Sequence, residues 1–152
     1  MSRAVRMVPP DWQHPMTWRR QWSWEHGCAV GTLVPRPLLA RSYADDLAEF
    51  AANPDDWEDL IAPDPDDYMP VFPEGTATHY AMYEETSEGT PISPAFATIE
   101  ELAFWLADNR ASAFGGMTAT YEQWLAMCRQ GWAPSAVQVA GGPLMSGVEA
   151  FS

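Results

Sequence analysis

The sequence predicts a small α+β fold, an antiparallel sheet covered by two or more amphipathic helices. Three observations carry that reading. Residues 78–84 alternate with period two, placing Thr78, Tyr80 and Met82 on one face and His79, Ala81 and Tyr83 on the other. Thr98-Ile99-Glu100-Glu101 is a capping box opening a helix whose apolar stripe is Ile99, Leu102, Ala103 and Leu106. A second stripe, Tyr121, Trp124, Leu125 and Cys128, follows Thr118 and Thr120 as possible caps and stops at Gly131. At 152 residues the chain has one domain's length. Residues 1–152 are therefore expected as a single domain in three stretches: an irregular Trp/Arg-rich region (1–41), an acidic helical and proline-rich segment (42–77), and a strand-helix-helix-hairpin unit (78–152).

Taken in order, the first stretch sets Trp12, Trp18, Trp22 and Trp24 among Pro9, Pro10, Pro15, Pro35 and Pro37. That is too much proline for long helices and too much aromatic surface for disorder. The expectation is irregular structure wrapping the core, with a helical turn from Thr17 that puts Trp18 and Trp22 on one face beside Arg19 and Arg20. Burial of the tryptophans is the expected outcome, and an Arg/Trp interface hot spot the alternative. Ser42 then caps a helix carrying Asp45 and Asp46 in its first turn and Tyr43, Leu47 and Phe50 at helical spacing, ending at Asn53. Pro54 opens a second short helix in which Trp57, Leu60 and Ile61 look inward. Residues 63–70, with three prolines, read as extended. The tail, residues 136–139 and 144–145 around Gly141-Gly142, reads as a hairpin joining the 78–84 strand in one sheet.

Charge is the most uneven property. Residues 1–41 hold six arginines and two acids, residues 42–109 hold seventeen acids and no arginine or lysine, and the remainder balances. The chain has no lysine and a formal net charge of -13, which weighs against a nucleic-acid or anionic-membrane binder. No apolar run has the length of a spanning helix and no charged start leads into a signal core, so a cytoplasmic protein without a membrane partner is expected.

Motifs for chemistry are few. His14, His26 and Cys28 lack the paired spacing of structural zinc, and two cysteines make no disulfide framework. Cys128, on an apolar stripe, reads as a buried small hydrophobe. Asp64, Asp66 and Asp67 lack the glycine and closing glutamate of a calcium loop. Glu84, Glu85 and Glu88 have no accompanying sugar-binding arrangement, and neither a nucleophile elbow nor a phosphate loop occurs. No catalytic residue, metal ligand or cofactor is assigned.

Three segments, residues 6–15 (RMVPPDWQHP), 83–94 (YEETSEGTPISP) and 131–135 (GWAPS), resemble short proteins encoded by tailed phages and prophages. The resemblance covers about half the chain. It implies a serine-proline turn leading into a helix like that at 98–109, a terminal strand after the GWAPS segment, and a phage accessory gene rather than any particular activity.

A small acidic phage protein has a physical route to function. Duplex DNA carries one charge per about 1.7 Å of axis, and nucleases and CRISPR complexes meet it with Lys/Arg channels. An extended segment rising about 3.1 Å per residue would set Asp64 and Asp66 roughly 6 Å apart, near the interval between phosphates. The expectation is an anti-CRISPR-like DNA mimic, inhibiting a host defence complex by binding its basic nucleic-acid-binding surface through Asp55, Asp56, Glu58, Asp59, Asp64, Asp66 and Asp67. The alternatives are a virion or assembly component whose acids serve solubility, and an enzyme modifying a host factor.

Overall fold

The principal sheet is built on a strand that carries two arginines in six residues, β1 (Arg3–Val8). The computed structural model describes residues 2–57, 61–85, 89–114, 116–134, 136–138 and 141–150, which divide into two compact units. Residues 1–13 with 72–152 form one, and residues 14–71 the other. The described residues mix helices with antiparallel strands, an α+β fold.

In the first unit β1 pairs antiparallel with β4 (His79–Glu84), in register from Arg3 opposite Glu84 to Val8 opposite His79. β5 (Thr90–Pro91) extends the far side of β4, and β6 (Trp132–Ala133) the far side of β1. Both faces of the central pair are covered, so Ala81, Met82, Tyr83 and Glu84 are buried in succession. Met82 joins Leu102, Ala103 and Leu106 of α2 (Ile99–Asp108) and Trp124, Met127 and Cys128 of α3 (Tyr121–Gln130), with Val5 and Tyr80 at the margin. Leu102, Leu106 and Trp124 are fully buried as expected, and Leu125 packs against the cluster from its edge. On the opposite face the Arg6 guanidinium lies 4.3 Å over the Tyr83 ring while its Nε donates to Glu85 at 2.6 Å. Trp12 donates its indole N–H to the Tyr83 hydroxyl at 3.1 Å and meets Phe72 edge-on.

Local chemistry sets the helix ends. Thr98 accepts from the Glu101 amide. Thr120 and Gln123 form a reciprocal capping box, and Gly131 closes α3 in the left-handed region at φ 87°. The tail hairpin forms from β7 (Ala136–Gln138) and β8 (Leu144–Ser146), followed by α4 (Gly147–Ala150). It stands as its own two-stranded sheet, so the expected merger with the 78–84 strand is corrected. β1 supplies a partner six residues long where the tail offers three.

The second unit departs furthest from expectation. The Trp/Arg-rich stretch is not irregular and has no helical turn at Thr17. β2 (Met16–Ser23) and β3 (Cys28–Pro35) form a regular hairpin closed by the turn at residues 24–27, with Gly27 at φ 65°. Residues four apart share a face in a strand as well as in a helix, so Trp18 and Trp22 satisfy both periods. The apolar β3 opposite settles the choice.

α1 (Tyr43–Ala52) is capped by Ser42 and ends at Asn53. Its buried residue is Asp46, while Leu47 is exposed. Pro54–Asp56 makes a single 3-10 turn in place of a second α-helix, and Leu60 lies outside the described residues. The segment expected to be extended folds into another 3-10 turn at Pro65–Asp67, and Tyr68 then bridges in parallel to Leu39. Among the described residues no helix is long and apolar enough to cross a membrane.

Candidate functional site

Residues 42–71 of the acidic segment lie in the second unit, which holds eleven acids and four arginines. Proline at position 65 fixes φ for the first residue of a turn, and Asp64 caps that turn by accepting the Asp66 amide at 2.9 Å. Asp67 reaches Arg36, whose Nη2 donates to Oδ1 at 2.8 Å. The hydrogen bond to Asp67 holds the guanidinium above its ordinary pKa, and the fields of Asp66 and Asp64 add to it. Three carboxylates therefore gather round one arginine. The extended, phosphate-like ladder expected for Asp64 and Asp66 does not form, because the capping bond folds the first carboxylate back onto the turn.

Asp55 and Asp56 occupy the separate turn after α1. Asp55, Asp56, Asp64, Asp66 and Asp67 are all exposed, and Glu58 and Asp59 lie outside the described residues. Among the described residues Arg36–Asp67 is the one ion pair made by these acids.

Arg36 also marks where the turn meets the hairpin. Its amide donates to Pro15 at 2.9 Å, and His14 Nε2 donates to its carbonyl at 2.6 Å, so the acidic turn sits at the open base of β2 and β3. The closed tip lies a full strand away, about 25 Å at the usual rise. Along that length one face of the hairpin presents Met16, Trp18, Arg20 and Trp22 opposite Pro35, Leu33, Gly31 and Ala29. Trp18 is 73% exposed, Trp22 57% and Trp24 89%, which overturns their expected burial. Trp22 and Trp24 meet edge-on with centroids 5.9 Å apart. A Cβ at Gly31 would stand 3.6 Å from the Trp18 ring, an ordinary van der Waals contact, so the indole lies against the neighbouring strand at this position. The alternation of aromatic and polar residues in β2 was the available signal for this face.

The remaining residues considered for chemistry are dispersed. His26 Nδ1 is 2.9 Å from the Ser23 hydroxyl, Cys28 is exposed on β3, and Cys128 is buried in the other unit, where burial pushes its thiol up to about 12. Glu84 is buried, Glu85 is paired with Arg6, and Glu88 lies outside the described residues. Among the described residues no three His, Cys, Asp or Glu side chains converge as a metal site. Comparison of the chain with protein families, curated proteins and solved structures finds no match.

Proposed function

We propose that this protein is a phage-encoded binding protein that occupies the basic nucleic-acid-binding surface of a host defence complex, as a polyanion mimic of the anti-CRISPR kind. The observation that carries the reading is the exposure of all five described acids at positions 55, 56, 64, 66 and 67, in a stretch of 68 residues without one arginine or lysine. Mimicry here is of charge density rather than of phosphate spacing, since the carboxylates are grouped on turns. Lys/Arg channels that neutralise a nucleic acid present the same positive groups to exposed carboxylates, whose attraction is likewise screened by salt. The test is inhibition of target-DNA binding by wild type and by a variant with all seven acids changed to Asn or Gln, each confirmed folded by circular dichroism. Exposed pairs contribute only about 0.2 to 1 kcal/mol each. Single changes should thus be nearly silent and the combined set should cost orders of magnitude, in parallel with a steep loss on adding salt. Equal inhibition by both proteins would remove the reading.

The exposed hairpin face favours a second reading, in which Trp18, Trp22 and Arg20 anchor a host protein and the acids serve solubility. It predicts the converse result: the acid-neutralised protein still inhibits and a variant with Trp18, Trp22 and Trp24 changed to Ser does not.

A further inference from the structure

In the first unit, Phe96, Phe104, Trp105 and Tyr121 line an open cleft of about 450 Å³ together with Glu100 and Glu101. Its walls are fixed before any ligand arrives. Phe96 exchanges two backbone hydrogen bonds with Tyr80, at 2.7 and 2.9 Å, which anchor it to the sheet margin. Thr98 caps α2 just before the two glutamates, and the Thr120–Gln123 box sets Tyr121 at the first position of α3. Phe96 and Trp105 are tilted at 43° with centroids 6.2 Å apart, so the two rings form an angled wall.

Phe104 is 63% exposed and lies off the buried stripe of α2. Core packing therefore does not account for an aromatic residue there. One helical turn separates Glu100 from Phe104 and Glu101 from Trp105, so each carboxylate stands a turn above a ring. Among the described residues no basic side chain lines the cleft. The two helix starts at its rim contribute about half a positive charge each, which Glu100, Glu101 and Glu122 outweigh. Ring faces and carboxylates both attract cations, whereas an anion would meet repulsion from the two carboxylates that line the cleft.

We propose that this cleft binds an organic cation, a quaternary or methylated ammonium group whose methyls contact the rings while its charge faces Glu100 and Glu101. The inference is independent of the acidic segment in the other unit.

The test is calorimetric titration of the full chain with tetramethylammonium, choline and a peptide bearing trimethyllysine, against the neutral isostere 3,3-dimethylbutan-1-ol. The expected result is saturable binding of the cations, with the neutral compound at least about fivefold weaker. Phe104→Ala, and separately the pair Glu100→Gln with Glu101→Gln, should each weaken cation binding by about fivefold or more. All three changed side chains are exposed, and the charge variant decides the matter should Phe104→Ala fail to fold. A peptide tighter than choline supports the site as one for a modified protein side chain, and the reverse order supports it as one for a free small cation. Absence of saturable cation binding, equal binding of the neutral isostere, or indifference to both variants would overturn the proposal.

Discussion

The Tyr68 hydroxyl donates to Asp46 Oδ2 at 2.6 Å, and the same oxygen pairs with Arg41 Nε at 2.8 Å. Asp46 thereby ties α1 to the segment after the acidic turn, where Tyr43 adds an edge-on ring contact to Tyr68 at 5.4 Å. A buried carboxylate that loses one of its two donors keeps its desolvation cost with less compensation, here from Arg41 alone. Tyr68→Phe should therefore lower stability by about 1 to 3 kcal/mol, read from urea unfolding monitored on residues of this unit. Asp46→Ala should cost at least as much, and a change within about 0.5 kcal/mol for both would show the bond to be incidental.

Alkaline pH should destabilise the protein. Burial pushes the Cys128 thiol from 9.0 up to about 12. Burial raises Tyr68, helped by the hydrogen bond to Asp46, and burial raises Tyr83 against the lowering effect of the bond from Trp12. A group with a raised folded pKa keeps its proton after the unfolded chain has lost it. Its contribution is complete below the unfolded pKa and disappears as pH rises through the folded one. Stability should be level near neutrality on account of these groups and fall between pH 9 and 12, the interval set by Cys128. Cys128→Ala should flatten that fall in a Tm-against-pH series. An unchanged slope would assign the loss to the tyrosines.

Legibility in the sequence followed the source of each element's stability. α2 and α3 were readable because caps and stripe are local: Thr98 with Leu102 and Leu106, Thr120 with Trp124. β1 was not. Its two arginines break the apolar pattern, and they become buried only through partners far along the chain, Ser112 for Arg3 and Glu85 for Arg6. By sequence Asp46 is a first-turn charge, yet its role depends on Tyr68, twenty-two residues on. Of the acidic site, exposure at positions 55, 56, 64, 66 and 67 followed from residue type, while the gathering of three carboxylates about Arg36 needed the turn that Asp64 caps.

Two glycines should differ sharply on substitution by alanine. Gly131 has open space for a Cβ but a left-handed φ of 87°, so Gly131→Ala should cost about 1 kcal/mol. At Gly147 a Cβ would collide with the Pro134 carbonyl, which is backbone and cannot turn aside. Gly147→Ala should cost about 1 to 3 kcal/mol or more through forced movement of α4 from Pro134. Denaturation midpoints in urea order the two, and a milder effect at Gly147 would mean that the α4 segment is displaced without loss.

The hairpin tryptophans should be nearly dispensable for folding although they are the largest side chains in their unit. Trp18, Trp22 and Trp24 are each more than half exposed, and the direct neighbours of the first two across the sheet are Leu33 and Ala29. Little apolar surface leaves water when they fold, and a two-stranded sheet draws modest stability from cross-strand pairs, about 0.2 to 1 kcal/mol each. Trp124 is fully buried among Met82, Leu102 and Leu106, where truncation removes contacts on every side. Changing Trp18, Trp22 and Trp24 together to Ser should therefore cost less than Trp124→Ala alone, for which about 3 to 5 kcal/mol is expected. Acrylamide should quench the fluorescence of the wild type substantially, and most of the accessible fraction should vanish in the triple variant. Global unfolding of the triple variant, or unchanged quenching, would mean that the hairpin face is covered in solution.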